Sequence, residues 1–80
     1  MKIQILAFGI AKDIVGGSQL DLTVNAGTTV EQLKSSLSQQ FPRFSGLASL
    51  AIAVNSEYAD DQQILNADDE IVIIPPVSGG

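Results

Sequence analysis

The chain has 80 residues, of which 45% are hydrophobic, and its four basic and nine acidic side chains give a net charge of −5. This length fits one small folded domain, and the absence of Cys and His excludes disulfides, thiolate nucleophiles, imidazole bases and the commonest metal ligands. The acidic balance argues against nucleic acid and anionic membranes as partners. Because no apolar stretch approaches the roughly 20 residues of a spanning helix, we expect a cytoplasmic protein.

Two strands are predicted in the first part of the chain. Residues 2–8 alternate in polarity with a period of two, with Ile3, Ile5 and Ala7 on one side, which is typical of a strand. Residues 18–24 alternate more clearly, with the apolar positions on the side predicted to face the core. The segment between them contains Ile10–Val15, which predicts a short helical turn before Gly16 and Gly17. The two strands are therefore expected to form a long hairpin, open at residues 9–17.

One main helix is predicted over residues 29–40. Thr28 followed three residues later by Glu31 fits a capping box, in which each side chain satisfies one backbone N–H group. An apolar stripe then recurs at spacings of three and four residues, at Val30, Leu33, Leu37 and Phe41. Pro42 ends the helix, because its ring and missing N–H group cannot continue it.

The remaining elements are strands. Residues 50–55 predict a strand buried on at least one face, and residues 57–59 predict a very short one. The β-branched run Glu70–Ile74 predicts a central strand covered on both faces or nearly so, ended by Pro75 and Pro76. The order strand, strand, helix, strand, short strand, strand predicts an α+β β-grasp fold, with a mixed sheet covered by one helix. We expect a domain over residues 1–74 and an extended tail over residues 75–80.

The candidate sites for independent chemistry are weak. The acidic clusters at residues 60–61 and 68–70 could form a carboxylate pair or a magnesium site, but Asp in connections usually accepts local backbone hydrogen bonds. We expect this ordinary role and no metal site. Gly16 and Gly17 are not followed by the Lys and Ser or Thr of a phosphate-binding loop, and Tyr58 is expected to pack rather than to act as an acid.

The carboxyl terminus and one sheet face are stronger candidates for function. Two residues without side chains, Gly79 and Gly80, follow the stiff Pro75-Pro76 pair, so a thin arm with a free carboxylate can enter another protein's active site. Composition alone leaves open a frayed end with incidental glycines. Leu6 and Phe8 are expected to face away from the helix. Either Ile71 and Ile73 or Val72 and Ile74 are expected to lie on the same face, because both alternating sets of the last strand are apolar. Such an apolar patch indicates a protein interface near the base of the tail.

These residues carry a resemblance to a known family. The segments Phe8–Gly16, Ala53–Asn55 and Asp69–Gly80, above all the ending Pro-Pro-Val-Ser-Gly-Gly, resemble the MoaD family, the small subunits of molybdopterin synthase. Members of that family are ubiquitin-like sulfur carriers of the same length and element order. The resemblance implies that this chain is not catalytic alone and binds no cofactor or metal. It also implies a heterotetramer in which the catalytic residues belong to a large, MoaE-like subunit.

The resemblance further implies a role for each residue of the tail. An adenylating, MoeB-like activating enzyme uses ATP to convert the Gly80 carboxylate to an acyl-adenylate, and a sulfur donor converts this to a thiocarboxylate. The loaded tail then delivers sulfur to a cyclic pyranopterin precursor in the large subunit, forming the molybdopterin dithiolene. Gly79 would permit threading, and Pro75 and Pro76 would set the exit direction. Partner contacts are expected at Phe8, Val77 and Ser78.

Three alternatives remain open from the sequence. The chain could carry sulfur for thiamine, cysteine or transfer-RNA thiolation, with the surface around Phe8 deciding the receiving enzyme. It could be a ubiquitin-like modifier joined through Gly80 to target lysines. It could also be a β-grasp binding module without covalent chemistry, in which case deletion of Gly80 would leave its function intact.

Overall fold

The computed structural model describes residues 1–46 and 50–75, with the side chains of residues 45 and 46 excluded. Within these ranges the strands and helices follow the predicted order. The strands are β1 (Lys2–Ala7), β2 (Gln19–Thr23), β3 (Ala51–Val54), β4 (Glu57–Tyr58) and β5 (Ile71–Ile74). The helices are α1 (Ile10–Val15) and α2 (Val30–Gln40), and a 3₁₀ turn, Pro42–Gly46, follows α2. No helix within the described part of the chain is long and apolar enough to cross a membrane.

The described strands form one mixed sheet in the order β2-β1-β5-β3-β4. The central strand β5 runs parallel to β1 and antiparallel to β3, and the outer pairs β1–β2 and β3–β4 are antiparallel. The first two strands form the predicted hairpin, with α1 in the connection. The predicted α+β class, with a mixed sheet and one main helix, is therefore confirmed.

The core lies between α2 and one face of the sheet. Alternate residues of β1 and β5 are buried there, and the apolar stripe of α2 covers them as its spacing predicts. The buried side chains include Ile3, Ile5, Val30, Leu33, Leu37, Ile52, Leu65, Ile71 and Ile73. Burial of each large aliphatic side chain contributes about 1.5–3 kcal/mol, so this layer supplies most of the driving force for folding.

The helix cap is formed one residue later than the sequence predicts. Thr29 is the N-cap: its Oγ1 accepts a hydrogen bond from the Gln32 amide at 3.3 Å, and the Gln32 Oε1 accepts one from the Thr29 amide at 3.0 Å. The predicted capping box of Thr28 and Glu31 is therefore wrong. Thr28 instead donates through its Oγ1 to the Asn25 carbonyl at 2.7 Å. This hydrogen bond closes the turn after β2, so the Thr28 hydroxyl does not cap the helix.

The loop before β5 closes the amino end of α2. The Val30 amide donates to the Gln63 carbonyl at 2.9 Å, and the Glu31 amide donates to the Asp61 carbonyl at 3.0 Å. These are the first two amides of the helix, which have no partner inside it. The loop therefore satisfies donors that would otherwise need water or an anion.

Within residues 1–46 and 50–75, the central strand is fully buried on one face and partly buried on the other. Ile71 and Ile73 are buried against α2, whereas Val72 and Ile74 point to the other face and are half-buried. Of the prediction that β5 is a central strand covered on both faces or nearly so, the central position is confirmed, and the second face is half-buried rather than fully covered. The physical reason is that the described helices pack on one side of the sheet. Val72 and Ile74, on the other side, therefore remain partly exposed.

The turn between β3 and β4 contains a residue that is strained in this conformation. Asn55 and Ser56 both have positive φ angles, 54° and 72°, as a two-residue type I′ turn requires. Asn tolerates this region well, but Ser does not. We expect Ser56→Gly to raise the free energy of unfolding by about 0.5–1 kcal/mol, and Ser56→Ala to give no gain. Urea denaturation of both variants measures the difference, and equal stabilities would contradict it.

Candidate partner-binding face and tail exit

The sheet face away from α2 carries a row of apolar residues that runs across neighbouring strands. In the strand register Leu6 lies beside Val72, Val72 beside Ala53, and Ala53 beside Tyr58, so these four side chains form a row across four strands. Ile74 lies beside Ala51 in the next row. We define the open face as Leu6, Phe8, Ala51, Ala53, Tyr58, Val72 and Ile74. The structure thus confirms that Leu6 points away from the helix, and it selects the Val72 and Ile74 parity of β5 for the same face; Phe8 follows directly after β1 and is 57% exposed.

Phe8 is presented by a backbone conformation that requires glycine. Gly9 follows it with φ 57° and ψ −131°, a combination that side chains disfavour strongly. This lets the chain leave β1 and enter α1 at once, while the Phe8 carbonyl accepts from the Ala11 amide at 3.1 Å. As a result the Phe8 ring is 57% exposed and Ile10 is 43% exposed, at the end of the sheet where β5 also finishes.

The open face is apolar in its centre and polar along the β2 side. The open face itself carries no charged side chain, whereas the outward residues of β2, which border it, are Gln19, Asp21 and Thr23. Lys2 and Gln4 continue this polar border on β1. An apolar centre with a polar rim is the usual composition of a protein interface.

The predicted tail follows β5, the central strand of this sheet. Because β5 is parallel to β1 and lies between β1 and β3, its carboxyl end emerges beside Phe8. Pro75, the first tail residue, is half-buried directly after β5. The other predicted site residues lie outside the described residues, so their roles stay predictions; they are Pro76, Val77, Ser78, Gly79 and Gly80.

The acidic clusters have the ordinary roles predicted for them. Asp60 accepts a hydrogen bond from the Gln62 amide at 3.0 Å, and Asp69 accepts one from the Asn66 amide at 2.9 Å. Asp61 forms an exposed ion pair with Lys34 at 2.7 Å, which contributes little to stability at a solvated surface. Among residues 1–46 and 50–75 no group of His, Cys, Asp and Glu side chains has the arrangement of a metal site.

The exposure of two residues, one on the open face and one beside Phe8, does not follow from the sequence analysis. Tyr58 is 76% exposed on the open face, so the prediction that it packs is wrong; the two-residue strand β4 lies at the edge of the sheet and receives no cover. Its pairing with Ala53 across the Asn55-Ser56 turn places it in the row of the open face, which alternation alone does not reveal. Ile10 is predicted as part of a helical turn and of the Phe8–Gly16 segment but not as a contact residue, and the structure leaves it 43% exposed.

Comparison with known sequences places the chain in a family. The ThiS family profile matches residues 5–80, which is nearly the whole chain. The chain belongs to the ThiS family. Its relatives include the "Molybdopterin synthase sulfur carrier subunit" of Arabidopsis thaliana, 35% identical over 100% of this chain and 84% of the relative. The protein of the same name from Dictyostelium discoideum is 37% identical over 99% of this chain and 96% of the relative.

Solved structures with the same architecture include a ubiquitin. The ubiquitin of Caldiarchaeum subterraneum matches 100% of this chain and 98% of its own with a TM-score of 0.68 and 26% identity. A chain in the complex of subunits 1 and 2 of the molybdopterin-converting factor from Helicobacter pylori matches at 100% of both chains, with a TM-score of 0.66 and 23% identity. The fold of this ThiS family member is therefore the ubiquitin-like β-grasp, as the sequence predicted.

Proposed function

We propose that this ThiS family member is the sulfur carrier subunit of a molybdopterin synthase. The observation that carries the proposal is its match, over essentially the whole chain, to relatives that bear this name at 35% and 37% identity. The structure supports a carrier in two ways: an apolar open face suited to a partner, and a tail that begins beside that face. The absence of Cys and His from the sequence agrees with a protein whose catalytic groups belong to its partners.

The proposed chemistry takes place at the α-carboxylate of Gly80. A carboxylate oxygen attacks the α-phosphorus of ATP, forming an acyl-adenylate and releasing pyrophosphate. A hydrosulfide ion then attacks the acyl carbon, so that a C–S bond forms, the C–O bond to AMP breaks, and a thiocarboxylate remains. The thiocarboxylate sulfur then bonds to a carbon of the pyranopterin precursor, from which an oxygen substituent leaves, and water cleaves the acyl C–S bond, so that the sulfur stays on the precursor and Gly80 returns to a carboxylate. Gly79 leaves the arm narrow enough to enter an active site, because it adds no side chain.

The proposal includes two protein partners. A large, MoaE-like synthase subunit receives the loaded tail, and a MoeB-like enzyme adenylates Gly80. The large subunit is proposed to cover the open face around Phe8 and Val72 while the tail residues Pro76, Val77 and Ser78 enter it. The activating reaction requires ATP, so we place the protein in the cytoplasm.

Intact-mass measurement tests the carrier role directly. The protein is incubated with ATP, sulfide and the activating enzyme of its own organism, and a variant without Gly80 is treated in parallel. We expect a mass gain equal to the replacement of one oxygen by sulfur in the full chain and no gain in the shortened variant. As a matched control, Ile64→Ala changes an exposed residue outside the open face and tail, and should gain sulfur normally.

A second step assigns the receiving pathway. The thiocarboxylate product is mixed either with the large molybdopterin synthase subunit and the pyranopterin precursor, or with a thiazole synthase and its substrates. Dithiolene formation only in the first mixture supports the proposal, whereas sulfur transfer only in the second would reassign the carrier to thiamine synthesis. No mass gain with an enzyme active on another carrier, together with Gly80-dependent conjugates in extracts, would favour a protein modifier.

A further inference from the structure

The free side of strand β2 has unpaired backbone groups. Val24 and Met1 exchange hydrogen bonds at 2.8 and 2.9 Å, and the Ala7 amide donates to the Ser18 carbonyl at 2.9 Å. Because hydrogen-bonded pairs alternate along an antiparallel ladder, Leu20 and Leu22 also bond to β1. The N–H and C=O groups of Gln19, Asp21 and Thr23 therefore point away from the sheet, and no other described residue bonds to them.

This edge has few of the features that protect exposed strands. Edge strands usually carry Lys, Pro or a bulge that blocks pairing with another chain. Strand β2 contains none of these among its five residues, Gln19–Thr23, and it pairs with β1 in continuous register. An extended segment can therefore bond to it without displacing any contact.

A groove continues the edge toward α2. Its volume is about 480 Å³, and it is lined by Thr23, the turn after it, and the Gln32 and Ser36 side of α2. Leu20 and Val24 are half-buried on the same side of the strand. A strand added to β2 would therefore place alternate side chains over partly exposed apolar surface and beside polar groups of the helix.

The charge of the edge defines the kind of partner. Asp21 is exposed in the middle of β2 and forms no ion pair with any residue that the structure describes, and the chain as a whole carries −5. Pairing of two copies is opposed by this charge, and in the register centred on Asp21 the two carboxylates would lie directly opposite each other. A basic residue opposite Asp21 is instead favourable, as cross-strand pairs of opposite charge are.

We propose that β2 binds an extended segment of a basic partner protein as a sixth strand, with a Lys or Arg opposite Asp21 and apolar side chains over Leu20 and Val24. The free amides and carbonyls of Gln19, Asp21 and Thr23 hold its backbone. This site adjoins the open face along its polar β2 border, and it does not depend on the proposed sulfur chemistry.

Nuclear magnetic resonance titration of the full chain tests this proposal. The probe is an acetylated and amidated peptide that alternates valine with lysine, and the matched control has glutamate in place of lysine. We expect shifts at Gln19, Asp21, Thr23 and Gln32 with the lysine peptide, and none at Val72. N-methylation of the lysine backbone nitrogens keeps the charge but removes the donors facing β2, so we expect about tenfold weaker binding.

Two substitutions at one position separate charge from backbone pairing. Asp21→Asn removes the charge and should weaken binding of the lysine peptide about threefold. Asp21→Pro should weaken it further, because it also removes an outward N–H group; the ladder with β1 stays intact, since proline is accepted where the amide faces solvent. Equal affinities for the methylated and unmethylated peptides, or shifts centred on the open face, would overturn the proposal. Concentration-dependent shifts at β2 without peptide would overturn it in favour of a second copy.

Discussion

Phe8→Ala is expected to weaken binding of the large synthase subunit about 30-fold or more, which corresponds to the loss of an interface hot spot of about 2 kcal/mol. The ring is 57% exposed at the end of β1, next to the point where the tail begins. Burial of an aromatic side chain at a partner contact removes a large apolar area from water. Isothermal titration calorimetry with the large subunit from the same organism measures the change.

The matched control for this variant is Ile64→Ala. Ile64 is 55% exposed, nearly the same as Phe8, but it lies in the loop that bridges to Thr29 at the start of α2, away from the open face. Its truncation should leave affinity within about twofold, as most surface changes do. If both variants bind equally well, Phe8 is not a partner contact; if both bind equally poorly, the interface is not confined to the open face.

The fold could be predicted because the sequence marks its layers clearly. The alternation of Ile3 and Ile5 with polar neighbours identifies the buried face of β1, and the spacing of Leu33 and Leu37 identifies the buried side of α2. In each element one face is buried and the other is exposed to solvent. The spacing of apolar residues within the element is therefore enough to identify the buried face. With these apolar faces and this order of elements, few arrangements of the helix and the sheet bury both faces.

The errors arose where the decisive contact is distant in sequence or where two residues are equivalent locally. Thr28 and Thr29 are both suitable N-cap residues. The structure uses Thr29, because the Thr28 hydroxyl donates a hydrogen bond to the Asn25 carbonyl. In residues 71–74 both parities are apolar, so periodicity cannot identify the face that α2 covers. The edge position of Tyr58 likewise depends on the strand order, which is a property of the whole sheet.

Residues 73 and 74 provide a direct test of the two faces, because both are isoleucine on the central strand. Ile73 is 1% exposed against α2, whereas Ile74 is half-buried on the open face. We expect Ile73→Ala to lower the free energy of unfolding by about 2–5 kcal/mol, because it leaves a cavity in the core. A chain of this size has a total stability of roughly 4–12 kcal/mol, so this loss is a large share of it. Urea denaturation followed by circular dichroism measures it.

The Ile74→Ala variant should show the opposite result: a small loss of stability and a clear loss of binding. Ile74→Ala removes partly solvated area, so we expect a loss of about 1 kcal/mol in unfolding, together with weaker binding of the large subunit. Ile73→Ala, measured at a temperature where it remains folded, should bind normally, because its side chain does not reach the open face. Equal stability losses for the two variants would contradict the assignment of faces, and normal binding by Ile74→Ala would remove this end of the open face from the interface. Two identical side chains in adjacent positions of β5 are thus expected to have different roles: Ile73 stabilises the core, and Ile74 contacts the partner.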